Sequence, residues 1–475
     1  MEEIVGRTKI VATIGPASAS RSVLRDMIIA GMDVARINFS YGTADTNIDL
    51  MGVVREAAKA EGVSVAIMQD LQGPKLRVGE LPAGGLALVE GLRATLLAGS
   101  ENMEGDAVPV PYQRLAREVK PGDRILLNDG LLELEVASVR GRRIHTKVLL
   151  GGKLLANQGL TVPSASLSLE SLTEKDEADL SLGLKHGVDF VAMSFVRTGR
   201  DVVDLRQKIA AGLPDDADFP AVVAKIEKHE ALKNFEAILK EADAVMIARG
   251  DLGLATSLSS VPLAQKELVA KCLVAGKPVM VATQMLSSMT MRPRPTRAEV
   301  SDVANAVIDH TDAVMLAEET ALGRYPVRSV RVMSDIISRT EESPLDDLMP
   351  HREARGEPVP QAVAAAAVEL ARHVEARALL VTTRSGYSAR AVARFRPETR
   401  VFAATDNPRV QRQLMLSWGI MPVYVEGYEE PERMVDKALT ILHDRYSIPS
   451  GSRVVVVSGL KREEGYDSAV RVVEM

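Results

Sequence analysis

The sequence predicts an α/β protein built on a (β/α)8 barrel, with a small all-β domain inserted in one barrel loop and a C-terminal α/β domain after it. Three observations carry that reading. Eight short, apolar, β-branched runs are separated mostly by helical stretches. One interval between them, residues 74–162, changes to alternating strands and turns. A stretch rich in Pro and charge, Glu341–Pro360, then precedes a fresh alternation of helix and strand.

The eight runs are Lys9–Gly15, Val34–Ser40, Ser64–Leu71, Val188–Val196, Ala221–Glu227, Ala244–Ala248, Pro278–Met285 and Ala313–Glu319. Each is apolar on both faces, as parallel strands covered by helices are. Among the helices, Ala231–Glu241 sets Leu232, Phe235, Ile238 and Leu239 on one face. Pro293 and Pro295 precede Thr296-Arg297-Ala298-Glu299, the capping-box pattern of a helix start. Eight such units close into a barrel, expected from residues 1–73 and 163–343. In the insert, 74–162, Arg124–Val139 alternates around Asn128-Asp129-Gly130, and Arg142–Leu150 continues after Gly141. Asp-Gly between apolar runs signals a hairpin. The third unit, 344–475, reads as helix Gln361–His373, strand Ala378–Thr383, helix Ser388–Arg394, strand Val401–Ala404, helix Arg409–Leu416, strand Val423–Val425, helix Glu432–Asp444 and strand Arg453–Ser458.

Composition narrows the function. A chain of 475 residues suits about three domains. Its 46% apolar and 26% charged content excludes a disordered, collagenous or disulfide-framework protein. The single cysteine, Cys272, permits no intrachain disulfide, reads as an inert core thiol and fits a reducing cytoplasm. No apolar run approaches the ~18 residues of a membrane span. The acidic start, Met1-Glu2-Glu3, lacks the basic residues of an export signal. A net charge of −6 with 3% aromatics argues against a nucleic-acid partner.

In such a barrel the chemistry sits where strands end at the C-terminal mouth. Alternation puts Arg36, Asn38 and Ser40 on one face, and likewise Lys225 with Glu227. Strand three ends at Asp70, strand six at Arg249-Gly250-Asp251, strand seven at Thr283-Gln284 and strand eight at Glu318-Glu319. Glu227 and Asp251, from adjacent strands, form an oxygen pair suited to a hard cation such as Mg²⁺ or Mn²⁺. Arg36 and Lys225 add positive charge. Phosphoryl transfer needs that combination, because its transition state spreads charge over non-bridging oxygens. Gly250 lets backbone N–H groups approach a small anion. Structural readings stand beside these. Lys225 and Glu227 form an ion pair, and Arg36 straps to Asp33 or Asp70. Met285, Met289 and Met291 pack, and His186, His229, His310 and His373 are structural.

At these residues the sequence resembles the pyruvate kinases, over essentially the whole chain. Arg7–Ser18, Gly31–Gly42, Gln69–Gly79, Ala221–Leu232, Ile247–Gly253, Ala282–Met285, Arg292–Val307 and Val314–Pro326 match family motifs in order. The resemblance implies phosphoryl transfer from phosphoenolpyruvate to ADP, giving pyruvate and ATP. It implies that Lys225 steadies the moving phosphoryl group and Arg36 contacts it. Glu227 and Asp251 hold the divalent metal. Gly250, Asp251, Thr283 and Ser194 bind substrate, and Thr283 and Glu319 count with the catalytic set. Arg77, Asn38, Tyr41 and Asp129 fall on the nucleotide side, and the inserted domain closes over the site. The family's monovalent-cation pocket maps to Asn38, Ser40, Asp70 and Leu71. Lys75 stands where one branch carries an acid, so its ammonium replaces K⁺, and K⁺ is not required. Tyr41 replaces a common His, Gln158 a common nucleotide-side Lys, and Ala317 a Ser proposed to deliver a proton. Thr383-Arg384-Ser385-Gly386-Tyr387-Ser388 matches the family's effector loop, implying a phosphorylated allosteric effector. A homotetramer is implied as well. Two other readings remain open on the residues alone: a Mg²⁺-dependent aldolase or lyase, and a non-catalytic phosphate-binding regulator.

Overall fold

The computed structural model describes residues 6–165, 167–168, 170–214, 217–347, 359–427, 431–462 and 465–475. All eight apolar runs form strands: Lys9–Ile14, Val34–Asn38, Ala66–Asp70, Phe190–Met193, Ala221–Ile226, Ala244–Ala248, Val279–Ala282 and Ala313–Leu316. They close into one parallel barrel in chain order, the last strand pairing with the first.

Alternation sorts the strand residues into two cores. Ile10, Ala12, Ala35, Ile37, Ile67, Val191, Ala224 and Val281 face the surrounding helices. Val11, Val34, Met68, Ala192, Val223, Met246, Met280 and Met315 fill the barrel interior. Continuing the inward set toward the strand ends gives Thr13, Arg36, Asp70, Ser194 and Lys225. The apolar plug thus supports a polar layer above it.

Residues 74–162 hold a six-stranded sheet and a two-stranded one around their own apolar core. The hairpin Arg124–Leu127 with Leu132–Arg140 forms as the Asp-Gly signal predicts. Asn128, Asp129 and Gly130 all take positive φ at its tip. The C-terminal unit has a five-stranded sheet ordered Ile420–Tyr424, Arg400–Thr405, Ala378–Thr382, Arg453–Arg462, Gly465–Glu474. Residues 348–358 of the expected linker lie outside the described residues.

Three local expectations need correction. Ala231–Glu241 is not one helix: His229–Lys233 and Phe235–Glu241 meet at Asn234. The Asn234 side chain donates to the Arg197 carbonyl at 2.9 Å, a tertiary bond that the helical period does not show. The last sheet also has one strand more than the sequence suggests, the antiparallel Gly465–Glu474. Asp467, Arg471 and Glu474 interrupt its apolar residues, so it lacks the apolar run of its parallel neighbours. Met291 is exposed, whereas Met285 and Met289 are buried packing residues as expected. Cys272 is buried, and burial pushes its thiol pKa far up, so it stays protonated.

Candidate active site

The polar layer at the barrel mouth is a chain of paired charges. Arg36 Nε donates to Asp70 Oδ2 at 2.7 Å, and Arg36 Nη1 donates to Thr13 Oγ1 at 2.8 Å. Lys225 Nζ donates to Asp70 Oδ1 at 3.0 Å and to Ser194 Oγ at 2.7 Å, and lies 3.1 Å from Glu227 Oε1. Arg36, Asp70, Lys225 and Glu227 are all buried. Two cations and two carboxylates leave this quartet neutral, which offsets part of the cost of taking four charges out of water. Both structural readings from the sequence therefore hold: Arg36 straps to Asp70, and Lys225 pairs with Glu227.

Electrostatics decides the protonation states. Burial opposes charge on Asp70, but Lys225 and Arg36 outweigh it and hold the carboxyl below its usual range. Burial also opposes charge on Lys225, yet Asp70 and Glu227 raise its pKa, so it remains an ammonium. That makes Lys225 a charge-neutraliser and a poor nucleophile. Glu227 is pushed up, mainly by burial and further by Asp251, while Lys225 pulls it down.

Backbone geometry fixes the carboxylate and hydroxyl positions. Phe195 sits at φ 57°, unusual for a bulky residue, and its N–H donates to Glu227 Oε2 at 2.7 Å. Gly73 sits beneath this turn; a Cβ there would lie 2.8 Å from Ser194 Cβ. The Lys228 ammonium lies 5.3 Å above the Phe195 ring. Across the mouth, Thr283 has φ 68° and Gln284 φ 57°. A β-branched residue in that region is strained. Arg249 supports it: Nη2 donates to the Thr283 carbonyl and Nη1 to Asp302, each at 2.8 Å. The Thr283 hydroxyl then accepts from Gly250 N at 2.9 Å.

The other residues singled out by the motifs fall in three places. Lys75 Nζ lies 3.6 Å from Asp251 and 3.8 Å from Asp129, reaching between barrel and insert. Gly159 faces the Lys75 side chain, where a Cβ would come within 3.2 Å of its Cε. The ion-pair partners of Lys75 are thus Asp251 and Asp129, whereas Asp70 is taken by Arg36 and Lys225. Asn38 Oδ1 accepts from Ser40 N at 3.1 Å, and the Leu71 carbonyl accepts from Ser194 Oγ at 2.7 Å. Tyr41 is exposed, Arg77 Nη1 donates to the Asn157 carbonyl, and Gln158 accepts from Leu155 N. Glu319 is buried with its two oxygens on Leu286 N at 3.0 Å and Ala317 N at 2.8 Å, tying the last two strand ends together. In the C-terminal domain, Arg384, Ser385 and Tyr387 are exposed, and Gly386 N donates to Thr383 Oγ1 at 3.0 Å.

Sequence reasoning gave no role to Thr13, Phe195 or Arg249. Thr13 was recoverable, because it lies opposite Arg36 in the strand register. Phe195 acts through a backbone amide, which leaves no mark in residue type.

Among the described residues, no group of three or more metal-ligating side chains is present. Glu227 and Asp251 still fit a divalent cation. They are hard oxygen donors, and their mutual repulsion, felt by the buried Glu227, is what such an ion relieves. Two protein ligands leave positions for water and substrate oxygens.

Comparison with known proteins agrees along the chain. The family model "Pyruvate kinase, barrel domain" matches residues 5–330, and "Pyruvate kinase, alpha/beta domain" matches 361–473. Pyruvate kinase 2 of Synechocystis is 42% identical over 95% of this chain and 76% of its own length. A pyruvate kinase of Agrobacterium vitis is 39% identical over 95% of both chains. The crystal structure of a pyruvate kinase from Cryptosporidium parvum superposes with a TM-score of 0.92 at 34% identity, covering 100% of this chain and 97% of its own. With the barrel, the inserted sheet and the charged mouth in place, the chain belongs to the pyruvate kinase family, which transfers the phosphoryl group of phosphoenolpyruvate to ADP.

Proposed function

We propose that the quartet Arg36, Asp70, Lys225 and Glu227, with Asp251 and the Thr283–Gly250 pair, is the phosphoryl-transfer site of this chain. The observation that carries this is the Lys225 ammonium, buried and held by Asp70, Ser194 and Glu227. Arg36 and Lys225 bind the phosphoryl oxygens as charge builds on them. Gly250 N and the Thr283 hydroxyl, now bonded to each other, open toward the substrate carboxylate. Glu227 and Asp251 would hold Mg²⁺ or Mn²⁺, which when bound polarises the substrate oxygens. Thr283 orients a water toward the enolate carbon. Glu319 serves as a positioning residue, since backbone amides occupy its carboxylate. Asn38, Tyr41, Arg77 and Asp129 line the nucleotide side.

The same reading divides the chain into a barrel of 1–73 and 163–343, a lid of 74–162 and a regulatory unit of 344–475. The lid's hairpin tip lies against the barrel, where a Cβ on Gly130 would sit 3.0 Å from Leu254 Cδ2. Closing it excludes water, which otherwise competes with ADP. The loop Thr383–Ser388, exposed at Arg384, Ser385 and Tyr387, receives a phosphorylated effector. An apolar groove between helices Arg297–Ile308 and Pro326–Glu341 supports self-association, in line with a homotetramer. Among the described residues no helix is long and apolar enough to cross a membrane, which suits a cytoplasmic enzyme.

Lys225→Met tests the central role. Phosphoryl transfer falls by about 10²–10³-fold or more, while phosphoenolpyruvate binding, read by calorimetry, is largely kept. Full activity in a folded variant refutes it. Lys75 supplies a fixed positive charge beside Asp251, which supports K⁺ independence. Replacing K⁺ by tetramethylammonium leaves the rate within about twofold; a collapse of activity that K⁺ restores overturns that reading.

A further inference from the structure

Lys75 reaches across the cleft between the barrel and the inserted domain. Its ammonium lies 3.6 Å from Asp251 at the barrel mouth and 3.8 Å from Asp129 at the hairpin tip of the insert. We propose that Lys75 is a positioning residue shared between these two carboxylates: a divalent cation on Asp251 drives the ammonium onto Asp129 and thereby draws the lid over the mouth. This coupling rests on Glu227 and Asp251 as the metal pair and on residues 74–162 as the lid.

Lys75 is held loosely where its neighbours are held tightly. Arg36 and Lys225 are buried and hydrogen-bonded at 2.7–3.0 Å. Among the described residues Lys75 Nζ makes no hydrogen bond, and both of its ion pairs are longer than one. The side chains of Lys75 and Asp251 are 27% and 30% exposed, and that of Asp129 is 72% exposed. Ion pairs so open to water are worth little and exchange readily. Asp251 has no other ion pair among the described residues, whereas the Glu227 oxygens are taken by Lys225 and the Phe195 N–H. Lys75 is therefore the paired cation that a divalent ion on Asp251 displaces.

A doubly charged ion on Asp251 repels an ammonium a few ångströms away more strongly than one screened pair attracts it. The way to Asp129 is open. Gly159 flanks it: a Cβ there would lie 3.2 Å from Lys75 Cε and 3.8 Å from Asp129 Oδ1. The Gly159 carbonyl accepts from Asn128 N at 3.0 Å, which ties this wall to the tip that carries Asp129. Asn128, Asp129 and Gly130 form a tight turn between the paired strands Arg124–Leu127 and Leu132–Arg140, so a pull on Asp129 is carried into the hairpin. The same tip faces helix Arg249–Ala255, which carries Asp251, through the approach of Gly130 to Leu254. The ammonium stays at the mouth throughout; only its carboxylate changes.

Mn²⁺ binding to the full chain, read from the spin-resonance signal of the free ion, tests the exchange. Tetramethylammonium salts are used, so that no K⁺ replaces a missing charge. Lys75→Met binds Mn²⁺ about tenfold more tightly than the parent, because the competing charge is gone. Asp129→Asn binds about threefold more weakly, because the ammonium is left on Asp251, and the same substitution made in Lys75→Met changes nothing. Glu227→Gln checks the metal pair separately, with affinity falling about tenfold or more. Unchanged affinity there overturns the metal pair and the coupling with it. A fall there, with unchanged or weaker binding in Lys75→Met, overturns the role of Lys75 alone. For the lid, dyes are placed on Lys147→Cys of the insert and Lys59→Cys of the barrel, both exposed positions, Cys272 being buried. Mg²⁺ shortens the dye separation in the parent and not in Lys75→Met; the same shortening in both overturns the coupling.

Discussion

Asp70 is the residue on which the site turns. It holds Arg36 with one oxygen and Lys225 with the other. Removing its charge leaves two buried cations facing each other, so Asp70→Asn costs about 3–5 kcal/mol at neutral pH. Its folded pKa is depressed, so its contribution is present above the unfolded value of about 4 and is lost as pH falls through the folded value. The gap in denaturant stability between parent and variant therefore narrows on acidification. A gap that widens with acid contradicts the pairing. Sequence alternation set Arg36 on one face with Asn38 and Ser40, and Lys225 with Glu227; barrel closure is what turned Arg36 and Lys225 inward. The Phe195 amide and the Arg249 brace were invisible, because a backbone donor and a side chain reaching to another strand end leave no periodic signal.

At the scale of elements, the capping box at Thr296 does more than start a helix. Glu299 closes the box on Thr296 N at 2.7 Å and also accepts from Ser288 N at 2.7 Å. It thereby ties helix Arg297–Ile308 to the loop that follows strand Val279–Ala282, the strand whose end carries Thr283. Glu299→Ala removes the cap and the tie together and lowers stability by about 1–3 kcal/mol in denaturant melts. A loss below a few tenths would show that the tie is not made. The box was legible because it is a local pattern. The tie to Ser288 was not, because it joins residues whose approach depends on how the strand end folds back.

At the scale of the molecule, the domains meet through buried charge. Arg396 Nη2 pairs with Asp312 Oδ2 at 3.2 Å, and Arg412 Nε donates to Asp189 Oδ1 at 2.7 Å. Near this junction Asp346 is buried, and burial with Glu341 pushes its carboxyl up to about 7. An acid raised above its unfolded value weakens the fold as pH climbs from about 4 toward that value. Asp346→Asn removes the penalty. Its melting temperature gains on the parent across that window and then levels off. A gain that is the same at every pH shows that Asp346 is not the titrating group.

Local pattern was enough to predict the barrel and its interruption. Strand period, Asp-Gly turns and helix caps are local, and alternation sorts the side chains of each strand into two faces. Long-range packing settled the rest. It placed Lys75 beside Asp251 and Asp129, gave Asp70 to two cations, broke the helix at Asn234 and added the last strand. Each of these depends on which charge or surface arrives from a distant part of the chain. Contacts between residues as far apart as Asp70 and Lys225 are set by barrel closure, and no local pattern carries them.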